Sequence, residues 1–123
     1  MNKKRIFISG PMSGYPWWNY PQFDIWENFF VRNGFEVVNP ANIGRKFGPE
    51  KVDADPILYK EMEAEIQAAE RTCDAIFLLK GWEDSKGVRL ELKTAIEMKL
   101  PIILEGSPSV KEKLKALKGM VQL

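Results

Sequence analysis

Four short apolar runs, Arg5–Ser9, Phe35–Val38, Asp74–Leu79 and Pro101–Leu104, are spaced along the chain with longer stretches of helical periodicity between them. Runs that are apolar throughout, instead of alternating with polar residues, belong to strands covered on both faces. Strands of that kind separated by helices imply a parallel sheet with right-handed crossovers, a three-layer α/β sandwich of four or five strands. The helical stretches have readable ends. Pro21 suits a first turn, and the face carrying Phe23, Trp26, Phe29 and Phe30 stops at Asn33-Gly34. From Pro56 to Arg71, Ile57, Met62, Ile66 and Ala69 alternate with charges such as Lys60, Glu63 and Glu70. Gly87 to Leu100 is a further helix, and Ser109 to Lys118 a last short one. Asn39 to Asp55, rich in glycine and proline with Arg45, Lys46 and Lys51, reads as a long loop, either functional or mobile.

With 123 residues, a single domain spanning the whole chain is expected. A 45% hydrophobic and 28% charged composition is that of a folded domain, not a disordered chain. The net charge of +1 gives no global attraction to a nucleic-acid polymer or an anionic membrane, so an anionic ligand must be held locally. No apolar run reaches membrane-spanning length, and Met1-Asn2-Lys3-Lys4-Arg5 leads into a run too short for a signal peptide, so a cytoplasmic location is expected. Cys73 stands alone and histidine is absent, which removes the usual zinc clusters and the Ser-His and Cys-His dyads. Acid–base or nucleophilic chemistry therefore falls to carboxylates, hydroxyls, lysines or the backbone.

In open parallel sheets, ligands bind outside the carboxyl ends of the strands. Three segments share that rim. Ser9, Gly10, Met12, Ser13 and Gly14 follow the first strand; Asn39 follows the second; Gly81, Trp82, Ser85 and Gly87 follow the third. The glycines here either cradle an anion with backbone N–H groups or simply make a tight turn. Ser85 is a helix N-cap, a place that also suits a phosphate or sugar oxygen. Trp17, Trp18 and Trp82 lie outside periodic core stripes and either stack on a base or pack over the domain edge. Glu91 is the most informative side chain, since it shares a helical stripe with Val88, Leu92 and Ala95. On that stripe a carboxylate must be paired, hydrogen-bonded or open to a cleft, or else sit at a wet edge.

Three sequence blocks resemble a known family. Ile6–Gly14, Gly34–Ala41 and Cys73–Gly87, followed by Glu91 and Ala95, are similar to a small group of uncharacterised bacterial and phage domains. Those domains in turn resemble the nucleoside 2-deoxyribosyltransferases and the 2′-deoxynucleoside 5′-monophosphate N-glycosidases. The likeness runs from about Arg5 to Leu104 and implies a flavodoxin- or Rossmann-like fold working without metal or organic cofactor. It implies that Glu91 attacks the anomeric carbon of a deoxyribose. It further implies that Ser85 contacts the 5′ end of the sugar, and that Gly10, Ser13 and Gly14 line the ribose and phosphate end. Phe7 stands where relatives often carry tyrosine. The second acidic residue, normally an aspartate on the helix before the third strand, falls at Glu65 or Ile66, while Glu61, Glu63 and Glu65 are three carboxylates on that helix.

The expected activity is cleavage of the N-glycosidic bond of a nucleoside or its 5′-monophosphate through a covalent glycosyl-Glu91 intermediate, as in retaining glycosidases. Glu65 or Asp84 would protonate the departing base, and helix dipoles or hydroxyls such as that of Ser85 would hold the Glu91 charge. The alternatives are a nucleotide-binding module without turnover and a scaffold using the fold for oligomer contacts. The expected partner is a small nucleoside or nucleotide, and a homodimer or larger homo-oligomer is the expected assembly.

Overall fold

A computed structural model of the protein describes residues 3–119. Its strands are β1 (Arg5–Ser9), β2 (Glu36–Val38), β3 (Ala75–Leu78) and β4 (Ile102–Leu104). Among the described residues they form one four-stranded sheet, ordered β2-β1-β3-β4 and parallel throughout. The helices are α1 (Tyr20–Arg32), α2 (Pro40–Phe47), α3 (Pro49–Ala54), α4 (Pro56–Glu70), α5 (Lys86–Glu97) and α6 (Val110–Gly119). The parallel sheet covered on both faces is the sandwich expected from the strand pattern, and it has the Rossmann- or flavodoxin-like form that the resemblance implies.

Side-chain alternation builds the layers. Ile6, Ile8, Ala75 and Phe77 join one apolar cluster with Phe23 and Phe30 of α1 and Leu114 and Leu117 of α6. Phe7, Ile76 and Leu78 point the other way, into a cluster with Met62 and Ile66 of α4 and Val88 and Ala95 of α5. β1 and β3, the two central strands, are each flanked by strands on both sides. The chain leaves β1 toward β2 and leaves β3 toward β4, so the strand order reverses between them. That switch point opens a crevice at their carboxyl ends.

The segment from Asn39 to Asp55, expected as a loop, is instead the two short helices α2 and α3. Its prolines start helices. Pro40, Pro49 and Pro56 each occupy the first helical turn, where a missing N–H costs nothing. Asn39 caps α2 by accepting from the Ala41 amide, and Asp55 caps α4 by accepting from Ile57 and Leu58. Gly48, at φ 88°, turns the chain between α2 and α3. Gly44 has another purpose: the Tyr20 hydroxyl lies where any Cβ would stand. No helix among the described residues is long and apolar enough to cross a membrane.

Candidate active site

A cavity of 580 Å³ lies at the carboxyl ends of β1 and β3, a size suited to a nucleotide-scale ligand. Gly10, Met12 and Ser13 bound it from the β1 turn, Gly81 and Ser85 from the β3 turn, and Gly87 and Glu91 from α5. The opposite wall is Val52 and Asp53 of α3 with Tyr59, Met62 and Glu63 of α4. Tyr15 and Trp18 complete the rim, and the Trp18 indole N–H donates to Asp53 Oδ2 across it at 2.8 Å. Trp17, Trp18 and Asn19 all have positive φ, between 52° and 60°, an uncommon conformation for residues with side chains.

Glu91 sits in the second turn of α5, on the face that buries Val88 and Ala95 and half-buries Leu92. It is only 5% exposed, yet it lines the cavity. The Ser9 hydroxyl, at the end of β1, donates to Glu91 Oε1 at 2.5 Å. The hydroxyl expected to hold the Glu91 charge was that of Ser85, but Ser85 Oγ instead caps α5 by accepting from the Val88 amide at 3.3 Å. Ser85 lines the cavity all the same and has its own hydroxyl proton to donate.

Glu63 faces Glu91 from α4. It is 6% exposed, and its carboxyl is close enough to that of Glu91 for the two to hydrogen-bond once one is protonated. Gly87 makes the approach feasible. A Cβ there would stand 3.1 Å from Glu63 Oε1, 3.5 Å from the Tyr59 hydroxyl and 3.9 Å from Glu91 Oε2. Glu65, expected as the second acid, is placed elsewhere. Two residues from Glu63, it faces away around the helix and pairs with Lys46. Ile66, the other expected position, is a core residue at 1% exposure that lines the cavity with an apolar side chain and has no proton to give.

Burial raises the proton affinity of both facing carboxyls. For Glu91 the nearby Glu63 adds to that effect and the Ser9 hydrogen bond opposes it. For Glu63 desolvation leads, offset in part by its contacts with Glu91 and Gln67. No basic side chain among the described residues pairs with either, since the ion pairs join Arg5 to Glu36, Arg45 to Asp24 and Lys46 to Glu65. Two adjoining buried carboxylates without a cation cannot both be ionised, so they share a proton. Their mutual contact raises Glu91 and lowers Glu63, so the resting proton favours Glu91 and must pass to Glu63, whose Oε2 has no hydrogen-bond partner, before Glu91 can act as a carboxylate. The Tyr59 phenol is also pushed up, by burial and then by Glu63 and Glu91, and remains a neutral hydroxyl beside the pair.

Of the other expected contacts, Gly14 lies outside the cavity in an exposed turn at φ 83°. Asn39 is buried as the α2 cap and donates to Asp24 and Glu27 instead. Trp82 packs on the apolar cluster under α4 and α5. Burial pushes the Cys73 thiol up to about 12, so it is no nucleophile. Among the described residues no group of three or more Cys, Asp and Glu side chains is arranged to hold a metal.

Residues 4–104 match the model of a protein family described as a domain of unknown function, DUF4406. The chain belongs to DUF4406. The match covers all four strands of this DUF4406 domain and its helices α1 to α5, hence the whole cavity. No curated protein and no solved structure matches the chain.

Proposed function

We propose that this DUF4406 domain cleaves the N-glycosidic bond of a nucleoside or nucleoside 5′-monophosphate, as a deoxyribosyltransferase or N-glycosidase. One observation carries it: Glu63 and Glu91 adjoin beside Gly87 in a nucleotide-sized cavity, both buried and neither paired with a basic side chain among the described residues, an arrangement that favours a single proton shared by the two. A pair so protonated supplies one nucleophile and one acid. The Glu91 carboxylate bonds to the anomeric carbon as the carbon–nitrogen bond breaks. The electron pair of that bond goes to the base, and the shared proton, carried by Glu63, goes to a base nitrogen. Water, or a second base, then displaces Glu91 from the sugar carbon and returns a proton to Glu63. The Ser9 hydroxyl steadies Glu91 whenever it carries charge.

The start of α5 supports a 5′-phosphate on the sugar. Its free backbone amides, the Ser85 hydroxyl and Lys86 all border the cavity, a combination that favours an anion. The resemblance of the Ile6–Gly14 and Cys73–Gly87 blocks to the deoxyribosyltransferases and monophosphate N-glycosidases points to the same chemistry. Homo-oligomerisation belongs to this proposal too, and exposed Ile57, Leu90 and Ile96 on α4 and α5 are apolar surface for it. Incubation with deoxynucleosides and their monophosphates, with chromatography for free base, tests the activity. Base release by wild type and none by Glu91→Gln is expected. Thermal stabilisation by these ligands without release would assign a binding module instead.

A further inference from the structure

Glu70 ends α4 and takes no part in the reaction proposed above. Its side chain is wholly buried, at 0% exposure, and neither carboxyl oxygen has a hydrogen-bond partner. An unpaired carboxylate in such a place is costly, and a carboxylic acid much less so. Seven residues separate Glu70 from Glu63, two helical turns, so both lie on the inner face of α4 with Ile66 between them. Helical side chains lean toward the helix N-terminus, which tilts Glu70 toward Glu63 and away from the end of the helix. The groups that act on it are Glu63 from α4, Arg71 at the C-cap of that helix, Cys73 from the turn before β3 and Glu91 from α5. Arg71 alone among these is cationic, and it is exposed.

We infer that Glu70 is a positioning residue for the Glu63–Glu91 pair, a third buried carboxyl whose charge state sets how firmly the pair keeps its last proton. The inference rests on the proposed function for its catalytic meaning, though not for its physical test. At neutral pH Glu70 is uncharged, because burial first and Glu63 second push its proton affinity up to about 8. In that form it leaves one member of the pair free to ionise. As the pH rises Glu70 itself ionises, and the added negative charge opposes loss of the proton shared by Glu63 and Glu91. The singly protonated pair, one nucleophile with one acid, then survives further into alkaline solution.

The test is a titration of the side-chain carboxyl carbons by NMR in glutamate-labelled protein, from about pH 4 to about pH 10, which spans raised and ordinary carboxyl values. Wild type is compared with Glu70→Gln and Glu70→Met, two neutral replacements of similar length. The upper step of the Glu63–Glu91 pair is expected to fall by about half a pH unit or more in both variants, a threefold loss of proton affinity. The alkaline limb of base release should move with it. A buried carboxyl that only filled space would leave that step unmoved in either variant, and this result overturns the inference. So does a wild-type Glu70 resonance that titrates near the ordinary glutamate value, a result that needs no variant to fold. Absence of base release from wild type would remove the proposed function alone, since the titration still decides the role of Glu70.

Discussion

Glu91 and Glu63 are nearly identical in burial, and the different roles proposed for them rest on their neighbours. Ser9 donates to Glu91, whereas Glu63 Oε2 receives nothing. Glu91→Gln keeps the shape and removes the proposed nucleophile, so base release should fall by about 10³-fold or more with Kd for nucleotide little changed. Glu63→Gln should instead slow release according to the base. Bases that depart poorly without protonation suffer by about 10²-fold or more, and a base activated for departure suffers far less. Steady-state rates on a set of leaving bases measure this, and equal losses on all of them would take the acid role from Glu63. Gly87→Ala places a methyl 3.1 Å from Glu63 Oε1 and should shift the pH profile of release by separating the pair.

At the scale of elements, the helices α2 and α3 depend on small local fits. Gly44→Ala drives a methyl into the Tyr20 hydroxyl and should cost about 1–3 kcal/mol in a denaturant melt, against the modest gain alanine normally brings to a helix. Asp55→Ala removes the acceptor for two amides of α4 and should cost about 1 kcal/mol. The central strands and the long helices were legible in the sequence because continuous apolar runs and a 3.6-residue period report burial directly. The 39–55 segment was not, since proline and glycine mark loops and helix starts alike, and only the Asn39 and Asp55 caps tell them apart. The proposed second acid is only half legible. Glu63 and Glu70 stand three residues before and four after Ile66, on the same face, yet they read as part of the charged surface because a glutamate on a helix usually is. Glu91 was legible because its stripe contains no other charge. The Trp18–Asp53 bond, which joins residues 35 apart, had no local signal at all.

For the whole molecule, three buried carboxyls with raised proton affinity give an unusual dependence of stability on pH. Between the unfolded value of about 4.5 and the raised folded values, the native state binds more protons than the unfolded chain. Stability therefore falls as pH rises through that window. For Glu70 the loss begins near pH 4.5 and is complete above about 8. Tm should accordingly be higher at mildly acidic pH than at alkaline pH. Glu70→Gln should flatten the curve, its advantage over wild type growing across that window and then holding constant. A Tm that rises steadily from acid to alkali would show that these carboxyls are ionised without penalty.

The central claim is that a buried carboxylate at the switch point of the sheet forms a bond to a sugar carbon. Intact-mass spectrometry after incubation with a slow 2′-fluoro-2′-deoxynucleotide, followed by peptide mapping, tests it most directly. One added sugar phosphate on Glu91, absent from Glu91→Gln, is the predicted result. Free base released at the wild-type rate with no adduct at any residue, or an adduct on another residue, would contradict it.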